Sequence, residues 1–300
     1  MAFNVTALQT YVEGASRELA TKAVANAKTA KLLIDSANVT AGVKGSADIF
    51  KMDADVVLQD GSSCGRSANG STTFSQKRIS VSPLKDEQNF CNKAFYDKWF
   101  AKLIAKGQNP EGETMDNAFA QEIMDYRAAK IAAAVEALIW KGDTESATAN
   151  LAHFDGLVKL LTADAVALTP TGADIIAKLQ DVYTDVAVEI RGAEDFRIFV
   201  GEDKYDEYLI ALANKNIYKA TDDFTLFGTK AKLEPVSGLN GTGKVVASRI
   251  SNFHLGIDGT GDADKAEMRY STETKQWYVD FHFAVGVQVI EETEAYIGAL

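Results

Sequence analysis

In WYVDFHFAVGVQVI, residues 277–290, Val279, Phe281, Phe283, Val285, Val287 and Val289 fall on every second position without a break. A period of two puts all six on one face of an extended chain, so this stretch predicts a long, half-buried strand. A strand of that length needs a sheet around it. The other dominant pattern has the helical period: Phe119, Ile123, Tyr126, Ile131, Val135, Leu138 and Ile139 form one stripe over 114–140, with Thr114 as a candidate N-cap. At about 1.5 Å per residue such a helix is a rod of roughly 40 Å. Gly142 follows Trp140-Lys141 as a stop signal. A long helix beside a long strand predicts an α+β chain.

The chain has 300 residues, enough by length for about two domains of ~150 residues. Its net charge of −11 argues against a protein that grips nucleic acid through a basic surface, because neutralising phosphate with Lys and Arg dominates such binding. It leaves room for a protein that only surrounds nucleic acid. The start, MAFNVTALQTYVEG, has no basic segment followed by an apolar one, so no secretory signal is read. The most apolar run, IAAAVEALIW, carries Glu136 and is far short of the ~18 residues of a membrane span. Cys64 and Cys91 are the only cysteines and lack metal-ligand spacing, which fits reduced thiols in a protein made in the cytoplasm.

Along the chain, residues 7–34 predict an Ala-rich helix with a loose stripe (Leu8, Val12, Leu19, Val24, Leu32) and a slightly basic face. Two extended stretches near 54–59 and 72–82 flank the turn-rich tip GSSCGRSANGS. Phe74, Ile79 and Val81 are few and interleaved with Gln, Lys and Arg, so this hairpin buries little against its own domain and projects toward a neighbour. Residues 89–107 predict an aromatic-rich helix stopped by Gly107 and Pro110. The segment from LIWKGD to HFDGL has the look of a mechanical joint. After Thr169-Pro170 a helix carries Ile175, Ile176, Leu179, Val182, Tyr183 and Val186; the strand 195–201 and the helix 202–216 follow. These place a strand-plus-helix domain over about 166–261.

No motif carries chemistry convincingly. GLNGTGKV, 238–245, matches the phosphate-cradling G-x-x-x-x-G-K except that Val245 stands where Ser or Thr must hold magnesium. The β-branched VVASRISNF follows it in place of a helix, so a Gly-rich turn between strands is the better reading. DGTGDAD, 258–264, has the alternating acids of a calcium loop, but Ala263 replaces its glycine and Arg269 its bidentate glutamate. A solvated acidic turn is expected there. His153, His254 and His282 lie far apart in sequence, and His282 falls on the polar face of the long strand. No catalytic, cofactor-binding or metal-ligating residue is assigned.

A chain that offers underburied, projecting elements and no site points to assembly. The order of its elements is a helical arm, a polar hairpin, a long helix ending in LIWKGD, then HFDGL. FVGEDKYDEYL, GTKAKLEPVSGL, SNFHLGID and a long final strand complete it. That order resembles the major capsid proteins of tailed bacteriophages, the Hong Kong 97-type fold, most closely those of phages infecting Bacteroidetes. The resemblance covers nearly the whole chain and rests on the order of individually weak motifs. It implies an N-terminal arm (1–47), an extended loop (48–83), a peripheral domain (84–165 and 262–290) on a spine helix at 114–140, and an axial domain (166–261 and 291–300). IWKGD…FDGL would be the joint between spine helix and axial domain.

The resemblance further implies homo-hexamers and homo-pentamers of an icosahedral virion shell around double-stranded DNA, bound without sequence specificity. It implies assembly in the host cytoplasm, no membrane, and scaffolding, portal and possible decoration proteins as partners. Some relatives carry a cleaved N-terminal scaffolding segment; none is read here, so either a separate scaffold acts or the sequence is the mature product, and Met1 favours the former. Their Lys–Asn cross-link does not map onto this chain residue by residue. An encapsulin-like compartment shell and, from another class, a small nucleotide-binding enzyme using 238–244 remain as alternatives.

Overall fold

The computed structural model describes residues 23–59, 62, 69–91, 113–218, 223–258, 265–271, 273–274 and 276–300. The first part of the expected 7–34 helix (7–22), most of the hairpin tip, most of 89–107 and the acidic turn 259–264 lie outside the described residues. Its elements, in chain order, begin with α1 (Lys28–Asp35), β1 (Val39–Ala41), β2 (Ser46–Asp55), β3 (Ser71–Ser80), β4 (Ser82–Cys91) and α2 (Glu113–Lys141). Then come α3 (Leu157–Asp164), β5 (Val166–Leu168), α4 (Ile175–Asp185), α5 (Val188–Arg191), β6 (Phe196–Gly201) and α6 (Glu202–Asn214). Six strands close the chain: β7 (Lys232–Val236), β8 (Lys244–Arg249), β9 (Phe253–Ile257), β10 (Lys265–Ser271), β11 (Gln276–Val289) and β12 (Tyr296–Ala299).

The first sheet is organised by β11. Its first half pairs with both β10 and β4, and its second half with β9, which pairs in turn with β1. Val279, Phe281, Phe283, Val285, Val287 and Val289 are all buried, as the alternation predicts. They join a core with Ile131, Val135, Leu138 and Ile139 of α2. The strand is not merely half buried, however. Ala284 and Gly286 on the opposite face are covered too, because the chain at Ser80–Val81 crosses it. A side chain at Gly286 would lie 1.9 Å from the Ser80 carbonyl oxygen, and one at the facing Gly256 2.8 Å from Val81.

Several sequence expectations change. The 54–59 strand is displaced: β2 spans Ser46–Asp55, set by its register with β3 from Ser46↔Ser80 to Asp55↔Ser71. Residues 89–91 extend β4 rather than start a helix, because a continuous ladder with β11 from Val285↔Ser82 to Gln276↔Cys91 holds them extended. The first helix is interrupted at Ala27, which has extended dihedrals, so α1 starts afresh at Lys28. On α2, Tyr126 is 64% exposed, and Met124 and Ala128 fill the core face instead; the described helix begins at Glu113, which takes Thr114 inside it.

The second sheet has the order β5-β12-β8-β6-β7. β12 was not legible in the sequence, and β11 is therefore not the last strand. The β6 strand reads FRIFVG and is buried nearly throughout, as suits a strand with neighbours on both sides. The helices α4 and α6 close one face over Val182, Ile198, Val200, Tyr208, Leu233 and Val245. Asp174, not Thr169-Pro170, starts α4: its carboxylate accepts the Ala177 N–H at 2.9 Å. The strand β9, placed by sequence with the second unit, belongs by its pairing to the first sheet.

Candidate assembly surfaces and the joint behind them

The end of α2 is a joint built on two glycines. The Gly142 N–H bonds to the Leu138 carbonyl, and the Gly142 carbonyl accepts the Gly156 N–H at 2.8 Å. A Cβ on Gly142 would sit 2.4 Å from the Phe154 carbonyl oxygen, and one on Gly156 2.6 Å from the Gly142 nitrogen. Two backbones can approach this closely only without side chains. Lys159 closes the turn by pairing with Asp143 at 2.6 Å and Asp155 at 3.0 Å. Its ammonium is pushed well above the usual lysine range, first by the Asp143 hydrogen bond. The two carboxyls sit below theirs.

Two residues before Gly142, Trp140 is fully buried, 5.3 Å from the Phe199 ring of the second sheet and 6.5 Å from Phe253 of the first. Its Nε1 donates to Thr29 Oγ1 at 2.7 Å. The Thr29 hydroxyl donates to Glu136 Oε1 at 2.6 Å, and the Thr29 N–H to Glu136 Oε2 at 2.8 Å. Ala27, at the N-cap of α1, has no side-chain acceptor. Glu136 supplies from α2 the oxygen that a capping side chain would provide, and so ties α1 to α2. Burial pushes the Glu136 carboxyl up, opposed by the Thr29 and Trp140 hydrogen bonds and the Lys28 charge.

The β2–β3 ribbon is the opposite case. One face, with Ile49, Lys51, Lys77 and Ile79, turns to the body; Ile79 is fully buried and Val81 nearly so, anchoring the root. The other face carries Phe50, Met52 and Phe74, exposed by 82%, 66% and 79%, with Met52 directly opposite Phe74. Val56, Val57 and Leu58 continue the apolar surface past the strand. Free apolar side chains in this density on a two-stranded ribbon mark an interaction surface. Sequence reading found the ribbon but not Phe50 and Met52; the alternation in DIFKM is the signal that exposes them. In the second unit, Ile210, Tyr218, Phe224 and Phe227 are exposed as well.

The sequence motifs fall apart as chemistry. Residues 238–244 form a short 3-10 turn and a loop with Gly241 and Gly243 at positive φ, leading into β8 rather than a helix. Asp258 is buried rather than solvated, at the end of β9 where the Val43 N–H bonds to the Ile257 carbonyl. The three histidines do not converge. His282 faces Glu87 at 3.8 Å on the outer side of the first sheet, His254 is half-buried in β9 and held below its usual pKa by burial, and the His153 carbonyl accepts from Ser82. A cleft of about 210 Å³ between α2 and β4 has an apolar floor (Leu84, Ile131, Phe283) and the Asp86–Arg127 ion pair at its rim. Among the described residues no group of three His, Cys, Asp or Glu could hold a metal, and no helix is long and apolar enough to cross a membrane.

The sheets, the long helix and the projecting ribbon together are the Hong Kong 97-type architecture of tailed-phage capsid proteins, matched over most of the chain. The chain is similar to a subunit of the satellite phage P4 procapsid (TM-score 0.60, 8% identity, 90% of each chain covered). It is similar also to a subunit of the cyanophage A-1(L) capsid (TM-score 0.57, 10% identity, covering 91% of this chain and 92% of that one). A virus-like particle from Pyrococcus furiosus matches with TM-score 0.52 at 10% identity, over 96% and 98% of the two chains. At these identities the likeness is one of fold. By sequence, no family model and no curated protein matches.

Proposed function

We propose that the chain is the major capsid protein of a tailed phage, a subunit without catalytic role that assembles into hexamers and pentamers of an icosahedral shell enclosing double-stranded DNA. The observation that carries this is the ribbon face of Phe50, Met52 and Phe74, bare in the subunit within a fold shared with capsid subunits. Apolar surface exposed to this extent is stabilised only by burial against another chain, and a neighbouring copy is the partner such a shell provides. On this reading residues up to 47 are the arm, 48–83 the extended loop, α2 the spine of a peripheral domain, and the second sheet an axial domain. We group β9 with the peripheral part, following its pairing.

Scaffolding, portal and decoration proteins are the further partners of this reading, with assembly in the host cytoplasm and residence in the virion. Kinship with phages of Bacteroidetes rests on motif order alone and has no support among the matched structures. An encapsulin-like shell would share the fold and differ in contents. Negative-stain images of the purified chain, alone and with its scaffold, test the reading: closed shells are expected, and only monomers under both conditions would overturn it. Nuclease-protected DNA in particles from infected cells separates a phage capsid from a cargo compartment.

A further inference from the structure

Beyond Lys51 and Lys77 every described residue of the two ribbon strands is exposed, so the ribbon is a cantilever held at its root. Both lysines lie on the body-facing side, on adjacent strands and close enough to repel one another: Lys51 is opposite Ser75 and Lys77 opposite Ile49. Each meets a separate carboxylate of one turn, Lys51 with Glu291 and Lys77 with Glu292. That turn joins β11 of the first sheet to β12 of the second.

Its backbone is fixed. The Glu291 N–H donates to Asn252 Oδ1 at 2.7 Å, and Asn252 Nδ2 donates to the Glu291 carbonyl at 2.8 Å. Ser248 Oγ donates to the Glu294 carbonyl, and Arg249 faces the Glu294 carboxylate at 3.7 Å. The two acids are thus held in place by the junction between the sheets, while the ribbon they hold has no other charged tether to the body among the described residues. The acid side chains are 23% and 28% exposed, and partly shielded pairs are screened by salt less than open ones. Burial alone would raise the Glu292 carboxyl, but the Lys77 hydrogen bond, then its own backbone N–H, and the Lys77 and Lys51 charges together outweigh it and hold it below the usual range.

We infer that Lys51–Glu291 and Lys77–Glu292 form an electrostatic latch that fixes the angle of the ribbon on its own subunit and couples that angle to the junction between the two sheets. The inference rests on the ribbon being an intersubunit arm: its angle then decides where Phe50, Met52 and Phe74 reach on a neighbour. A change in how the two sheets sit would move the acids and carry the ribbon with them.

Spin labels on Thr73→Cys in the ribbon and Ala163→Cys on α3, in a Cys64→Ser, Cys91→Ser background, read the angle as a distance distribution in the isolated subunit. A single narrow distance is expected with the latch intact. Lys51→Glu with Lys77→Glu should broaden it at least twofold, and adding Glu291→Lys with Glu292→Lys should restore it. If the double reversal does not fold by circular dichroism, Lys51→Gln with Lys77→Gln is read in its place. An unchanged distribution in the lysine variants, or no restoration in the folded fourfold variant, overturns the latch. Shell formation by the unlabelled wild-type chain is scored separately: shells with an unchanged distribution sink the latch alone, and a chain that never forms shells sinks the capsid reading whatever the distances show.

Discussion

If the ribbon serves assembly, replacing Phe50, Met52 and Phe74 together by threonine should separate folding from assembly. Threonine keeps the strand preference while removing most of the apolar surface. In the subunit the three side chains are 66% to 82% exposed, so they contribute little to its core. Surface changes of this kind usually stay within about ±0.5 kcal/mol each, and the Met52–Phe74 cross-strand pair adds roughly 0.2–1 kcal/mol that belongs to the ribbon alone. Fully burying a Phe or Met yields about 1.5–3 kcal/mol, and most of that is still unrealised here, so three such residues hold roughly 3–6 kcal/mol for one intersubunit contact. That is a loss of roughly 10²- to 10⁴-fold in the contact's equilibrium constant, repeated around each ring. A urea titration of the isolated subunit beside a sucrose gradient of the assembly reaction measures both quantities. A triple variant that loses more than about 2.5 kcal/mol as a subunit, or one that forms shells at wild-type yield, refutes the reasoning.

Trp140→Ala should cost the subunit about 3–5 kcal/mol and leave the Thr29–Glu136 pair without its third partner, giving insoluble or misassembled protein; normal particles at normal yield would show otherwise. Gly142→Ala should be as damaging despite its size, because its Cβ falls 2.4 Å from a backbone oxygen, and a thermal melt within a degree or two of wild type would contradict this close approach. The Glu136 carboxyl is pushed up in the folded chain, so the folded state holds its proton more tightly than the unfolded one. Its contribution is complete at pH below the ordinary glutamate value and declines as pH rises through the raised one. Urea midpoints across that window should therefore fall more with rising pH in wild type than in Glu136→Gln, and parallel curves would refute the assignment. Adding ATP should leave the melting temperature of wild type and Lys244→Ala alike unchanged; a shift lost in the variant would favour the nucleotide-binding alternative.

The parts of the fold that could be read from the sequence are those whose pattern is longer than the noise. β11 and α2 each repeat their period several times, and the buried faces of β11 and of α2 from Ile131 to Ile139 match it, while Tyr126 departs from it. β1, β5 and β12 have no such signal: at three or four residues they are strands because neighbours pair with them. The reading of 89–107 as a helix failed at its start for a related reason. Phe90 belongs to an aromatic cluster that suits an amphipathic helix, but ten register pairs with β11 outweigh local preference. Gly142 was legible as punctuation, though not its partnership with Gly156; their contact depends on the turn through Asp143 and Phe154 that brings them back together. The Thr29–Glu136 clasp spans 107 residues and left no trace in the local pattern. The interaction surface was half legible, since the β-prone flanks and the turn-rich tip give a ribbon while its pairing sets the register and the face that stays bare.

Folding energy and assembly energy thus sit in different residues of this chain. Trp140, Glu136, Gly142 and Gly156 are buried, connected to one another within two turns of α2 and its joint, and tied to both sheets. Damage there reaches both sheets at once, so it should appear as lost subunit stability before assembly is even attempted. Phe50, Met52 and Phe74 touch little of their own chain, and damage there is silent until copies meet. Lys51, Lys77, Glu291 and Glu292 stand between the two sets, at the only charged tether of the ribbon among the described residues. Ion pairs that remain about a quarter to a third exposed add little net stability, so their value to the subunit lies in direction: they aim a surface whose energy is released only on contact.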